Sequence, residues 1–285
     1  NYGAAVEGLK LILWGYFMNP CVAARMGLYV DAVSNNEGQH DGTSLALATF
    51  FFAFQIYGDF AGYSLIAIGA AKVMGYKLME NFHRPYFAVS ISEFWKRWHI
   101  SLSTWFKDYL YISIGGNRVK PWRHLLNLFI TFVVSGMWHG ANWTFFTWGS
   151  LHGLYLIIGV LKKKYIPALH LPKTLQKLWD ILMVFILADF AWIFFRANSI
   201  TDAFEVIRKV FTAQGSLFID ADAVFAGLLS LVILLFKDVK DEFSIKCNFL
   251  HSKHVVISYA SAIALMAFIL SMGVLDGGQF IYFQF

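Results

Sequence analysis

From Leu125 to Phe146 the chain carries no Lys, Arg, Asp or Glu. A run of that length has few ways to fold. In lipid, every backbone N–H and C=O must be bonded within the protein, which leaves helices and closed barrels as spanning structures. The run is long enough for a membrane helix, which needs about 20 mostly apolar residues. Yet His139 stands inside it, between Trp138 and Gly140. An ionisable side chain there is costly and normally faces the protein interior or a water-filled cavity.

The rest of the chain belongs to the same class. Charged residues make up 14% of it, against about 25% in a soluble domain. Further apolar segments run over Phe145 to Leu161, Leu178 to Phe195, Leu217 to Phe236 and His254 to Met272. Thr43 to Val73 is long enough for a span plus a re-entrant or interfacial turn. Val6 to Val30 is weaker, because Lys10, Pro20 and Arg25 interrupt it. The expected fold is all-α: a polytopic transmembrane helical protein forming one membrane domain over residues 1–285. The first residue is Asn1 rather than Met, and its opening does not read as a signal peptide, so the chain is expected to lack its natural beginning.

Net charge is +5, and its distribution orients the spans. Lys and Arg cluster in Tyr76 to His124, Lys162 to Lys177 and Lys237 to Lys253. The positive-inside rule makes these loops cytoplasmic. Ser34 to Gly42, Arg196 to Gly215 and the C-terminus then lie outside. No basic block alternates with stacking aromatics, so nucleic acid is not an expected partner.

The long basic loop has its own pattern. Ser90 and Glu93 have the spacing of a capping box. Ile91, Phe94, Trp95, Trp98, Leu102, Trp105, Phe106, Tyr109 and Leu110 recur at helical intervals. Ser92, Lys96, His99, Ser103 and Lys107 form a polar stripe on the same predicted helix, and Gly115 and Gly116 end it. An aromatic, basic amphipathic helix lies at the membrane surface. It serves either as an anchor or, with His99 turned inward, as the wall of a cavity.

Candidate chemistry centres on His139. At about 1.5 Å per residue from His124, it lies roughly 20 Å above the cytoplasmic edge, at mid-membrane or slightly beyond. Gly136 and Gly140 are expected to loosen the backbone there or admit a ligand. The alternative is a structural histidine bonded to a neighbouring helix. Asp59 and Asp189 are buried-looking acids, suited to a proton path or to a helix–helix bond. No HExxH motif and no carboxylate at ligand spacing from a His supports a metal site. GxSxG and P-loop patterns are absent. No His is followed by Asp five residues on, which removes the glycerolipid acyltransferase signature. Cys21 and Cys247 are isolated and form no disulfide framework.

The stretch "ENFHRPYFAVSISEFWKRWHISLSTWFKDYLYISIGGNR", followed by "GMWHGANWTFFTWGSLHGLYL", resembles the membrane-bound O-acyltransferase family. The likeness is to its bacterial branch of alginate O-acetyltransferases and teichoic acid D-alanyl transferases. "FFRANSITDAF" and the closing "FIYFQF" strengthen it. The family normally carries further N-terminal spans. The resemblance therefore implies that this chain is a C-terminal portion, expected to be poorly folded or inactive alone, with more spans encoded upstream.

The resemblance implies that an acyl thioester enters from the cytoplasm and meets an acceptor hydroxyl at a histidine within the membrane. The His of "WHG", His139, is then the catalytic residue, and the His of "RWH", His99, its second polar group. Arg97, Trp98, Trp138 and Asn142, beside them in the same motifs, are expected to contact substrate. No cofactor is expected to be tightly bound; acetyl-CoA is the favoured co-substrate. A polysaccharide acceptor, the lipid bilayer and an extracytoplasmic acyltransferase- or esterase-like protein are the implied partners. The competing reading is a polysaccharide or precursor transporter. It would suit the buried His and Asp residues, but the paired inverted repeats that favour it are not found. A non-catalytic scaffold of a secretion complex is a third.

Overall fold

The computed structural model describes residues 2–165, 172–219 and 221–275. The closing motif at 280–285 and residues 166–171 of the second basic loop lie outside the described residues. Among those described there is no strand. In chain order the helices are α1 (Tyr2–Phe17), α2 (Ala24–Ser34), α3 (Gly42–Val73), α4 (Ile91–Arg97), α5 (Ile100–Trp105), α6 (Pro121–His139), α7 (Trp143–Tyr165), α8 (Lys173–Arg196), α9 (Ile200–Thr212), α10 (Ala221–Glu242) and α11 (Val255–Met272). Among the described residues, α3, α7, α8 and α11 are long and apolar enough to cross a membrane. α6 spans 19 residues and α10 spans 22. Their ends carry Trp122, Arg123 and His124 in one case and Lys237, Asp238 and Lys240 in the other. The chain divides into two compact units, one of residues 1–80 with 215–285, the other Asn81–Gln214.

In the first unit, α1 and α3 are held at close range. A Cβ on Gly8 would lie 2.6 Å from the Gly69 carbonyl oxygen, and one on Gly15 equally close to the Gly62 carbonyl. Small residues at an interface let two membrane helices approach to backbone contact. Between α1 and α2 the chain widens into a π-type turn over Met18–Ala23. Pro20 in that turn has no N–H to give, and the wider turn accommodates the gap. Within it the Asn19 amide donates to the Asp59 carboxylate, so Asp59 has a helix-joining bond. Tyr57 reaches Asp238 at 3.1 Å and links α3 to α10. α3 itself is one unbroken helix of 32 residues. The re-entrant or interfacial turn expected within Thr43 to Val73 is absent: no Pro interrupts the segment, and its glycines serve as contact points.

In the second unit, α6 and α7 form a tight hairpin. A Cβ on Gly149 would sit 2.3 Å from the Phe132 carbonyl oxygen, and one on Gly136 the same distance from that of Phe145. Gly136 is therefore a packing residue, where the sequence suggested a loosened backbone. Gly149→Ala must push the two backbones apart. It is expected to destabilise the protein by about 1–3 kcal/mol, as overpacking does, and to lower the detergent-solubilised melting temperature. An unchanged melting temperature would show that the helices part freely.

The amphipathic segment departs most from expectation. Its start is as read: the Ser90 side chain accepts the Glu93 N–H at 3.2 Å, and Glu93 reaches back to the Val89 N–H at 3.0 Å. Its end is as read too, with Gly115 at φ +107° and Gly116 at φ +54°. The middle is not one helix. α4 stops at Arg97, Trp98 is extended, and His99 adopts a left-handed backbone at φ +43° before α5 begins. After α5 the chain widens into a π-type turn over Phe106–Tyr111. The polar stripe from Ser92 to Lys107 is thus cut at His99.

Candidate active site

His99 and His139 come from different elements of the second unit. His139 is the last residue of α6, so it stands at a helix end; the sequence had set it inside a longer span. α7 begins three residues beyond Gly140. Asn142 causes the restart: its side-chain oxygen accepts the Thr144 N–H at 3.1 Å, and its carbonyl accepts those of Phe145 and Phe146. This is N-capping, which satisfies amides that have no partner within the helix. The Asn142 amide also donates to the Asn198 carbonyl at 3.0 Å. That bond ties the α6–α7 turn to the α8–α9 turn.

Aromatic rings surround the His139 imidazole. Trp148 and Phe195 each present an edge at 5.2 Å between ring centres, and Phe145 lies at 6.3 Å. A Cβ on Gly140 would meet the Phe145 ring at 2.6 Å, so only glycine lets that ring cover the turn. Trp138, on the outer side of His139, is 59% exposed. Of the four predicted substrate contacts, Trp138 and Asn142 are exposed, Arg97 is half-buried and Trp98 is buried.

His99 is half-buried. Burial, and secondarily the nearby His139, disfavour its protonated form. The two histidines therefore sit within electrostatic reach of each other, although 39 residues of chain separate them. Left-handed backbone is unusual for a residue with a side chain, and such strain persists only where the surroundings impose it. Here the imposing contacts come from residues 81–84. The Asn81 carbonyl accepts the Ile100 N–H at 3.0 Å, and its side-chain oxygen the Ser101 N–H at 3.1 Å. The His83 N–H donates to the Arg97 carbonyl at 2.9 Å.

Arg97 is clasped by Glu93, with both Nε and Nη2 on one carboxylate oxygen at 3.0 and 2.6 Å. Its other arm reaches the Arg84 carbonyl at 3.3 Å. Trp98 is 2% exposed, packed among Phe82, Tyr86, Phe94 and Trp192. These two side chains, together with Asn142, build the walls on which the histidines stand.

The sequence reading passed over a third histidine. His152, on α7, is completely buried. Its Nδ1 accepts the Trp95 indole N–H at 3.2 Å, while Nε2 has no hydrogen-bond partner. The Trp148 ring lies 5.1 Å from His152 and 5.2 Å from His139. The signal was available: His152 also falls in an uncharged stretch, beside Gly153. Asp189, on α8, is half-buried with one carboxylate oxygen enclosed and unpartnered. Among the described residues no group of three His, Cys, Asp or Glu side chains is placed to hold a metal ion.

The chain is similar to several curated proteins. The chain is 43% identical over 207 residues to the probable alginate O-acetylase AlgI of Pseudomonas aeruginosa, covering 72% of this chain and 38% of that protein. It is 36% identical over 220 residues to the peptidoglycan O-acetyltransferase of Helicobacter pylori, covering 75% of this chain and 40% of the other. With the teichoic acid D-alanyltransferase of Streptococcus thermophilus it shares 36% identity over 174 residues, 56% of this chain and 42% of that one. The chain thus spans about 40% of the length of these curated relatives. The model of one family matches residues 5–201. The chain belongs to that family, MBOAT, the membrane-bound O-acyltransferases, and is part of a multi-pass membrane protein.

Proposed function

We propose that this chain carries the catalytic centre of an O-acyltransferase of the cytoplasmic membrane. It moves an acetyl group from a cytoplasmic thioester, acetyl-CoA, to hydroxyls of an exported or cell-surface polysaccharide. The observation that supports this reading is the half-buried His139 imidazole at the end of α6, ringed by Trp148, Phe195 and Phe145, with His99 within its electrostatic reach. A free hydroxyl is a weak nucleophile at neutral pH. Neutral imidazole, with an ordinary pKa near 6.5, can take its proton as it attacks.

In the proposed step His139 accepts the hydroxyl proton while the oxygen bonds to the thioester carbonyl carbon. The C–S bond then breaks, and the proton passes from the imidazolium to the departing thiolate. The products are the acetyl ester and the free thiol. No protein nucleophile is needed. His99 orients the thioester or polarises its carbonyl, Trp138 offers an open face to the acceptor, and Arg97 and Trp98 hold the His99 wall. The basic loops lie in the cytoplasm, where donor enters; the α6–α7 and α8–α9 turns lie opposite, where acceptor and an extracytoplasmic partner protein arrive.

Transfer of label from [14C]acetyl-CoA to polysaccharide in membranes holding the full-length protein tests this reading. Labelled ester that mild alkali releases is the expected result. Movement of polysaccharide across the membrane without acetylation would replace it with the transport reading.

A further inference from the structure

The break at His99 raises a question of local accounting. α5 begins immediately after it, and the first amides of a helix have no partner within the helix. The residue in the capping position usually supplies one with its own side chain. Here that residue is His99, and its side chain makes no capping bond. Both amides are instead taken by one residue 18 positions upstream of His99. The Asn81 carbonyl holds Ile100 and its side-chain oxygen holds Ser101.

We propose that Asn81 is a positioning residue, which caps α5 in place of His99 and so fixes the left-handed backbone that directs the His99 imidazole toward the reaction. The proposal rests on the reading of His99 given above. Its geometry does not. The Asn81 side-chain oxygen bonds to an amide two residues past the strained position, while His83 and the Arg97 guanidinium hold the residues just before it. The break is therefore clamped on both sides by one short segment, residues 81–84. Arg84, in that same segment, is also left-handed at φ +47°. Removing the side-chain bond leaves the Asn81 carbonyl in place, so the fold persists while the angle of His99 loosens. A displacement of about 1 Å at a reacting group can cost on the order of 10²-fold in rate.

Two measurements on the full-length protein in membranes test this. In acetyl transfer, Asn81→Ala should lower kcat by about 10- to 100-fold with little change in KM. Asn81→Asp, which keeps an acceptor oxygen at the same reach, should recover most of the lost rate. In modification by diethyl pyrocarbonate, read peptide by peptide by mass spectrometry, His99 should react faster in Asn81→Ala than in the wild type. His139 serves as internal reference, and Asn81→Asp should restore the wild-type ratio. Should Asn81→Ala fail to accumulate, Asn81→Gln displaces the same oxygen by one methylene and must show the same faster labelling. Unchanged His99 labelling in these variants would overturn the proposal. Changed labelling with transfer unaffected by the loss of His99 itself would keep the positioning and overturn the role assigned to His99.

Discussion

His139→Ala, in the complete protein, is expected to lose at least 10²-fold of its transfer rate per folded molecule, within the ~10²–10⁴-fold typical of a general base. His139→Gln is expected to fail as well. An amide can hydrogen-bond where the imidazole did, but it cannot take a proton at neutral pH. The packing makes this pair of variants discriminating. The imidazole fills a slot between Trp148 and Phe195, so His139→Ala also opens a small void and some loss of folded protein will accompany it. Gln refills most of that volume. If His139 served only packing, Gln would restore both yield and turnover. If it is the base, Gln restores yield alone. Near-normal turnover by His139→Gln would end the mechanism proposed here.

The structure also shows which parts of that site a linear reading can reach. The residue types were legible, because an ionisable group in an uncharged run is conspicuous wherever it lies. Its depth was not. The apolar run continues to Phe146, so composition sets His139 inside a longer span and does not register a helix that stops and restarts. The signal for the restart was one residue, Asn142, ahead of Trp143 and Thr144. Gly136 is ambiguous for a related reason: a glycine that admits a neighbouring helix and one that frees its own backbone look alike in sequence. Only the Phe145 carbonyl, 2.3 Å from where a Cβ would be, separates them.

The broken helix was beyond local reading altogether. The apolar period runs through Trp98 without a flaw, and neither Gly nor Pro stands at 98 or 99. The contacts that stop the helix come from Asn81 and His83, which the pattern of residues 90–110 does not contain. Asp59 illustrates the opposite case. A buried acid invites a proton path, and here its bond to the Asn19 amide joins two packed segments. Asp189 keeps an enclosed oxygen without a partner, which leaves it the better candidate of the two for a role beyond packing.

His99 allows a test in which stability and activity should move apart. A non-glycine residue in left-handed backbone costs roughly 1–2 kcal/mol, a penalty glycine escapes. His99→Ala keeps that penalty and removes the imidazole, whereas His99→Gly removes both. The glycine variant should therefore be the more stable of the two by about 1 kcal/mol, seen as a higher melting temperature in detergent. Both should lose transfer alike, by about 10²–10³-fold if one polarising contact on the thioester is gone, by analogy with an oxyanion donor. That combination, relief of strain without recovery of rate, is what a strained residue kept for its side chain predicts. If both variants stay within a few-fold of wild-type turnover, His99 has no part in the reaction, and the α4–α5 segment is an interfacial anchor with a kink. If alanine proves as stable as glycine, the Asn81 clamp does not hold this residue in left-handed backbone, and the imidazole must reach His139 by another route.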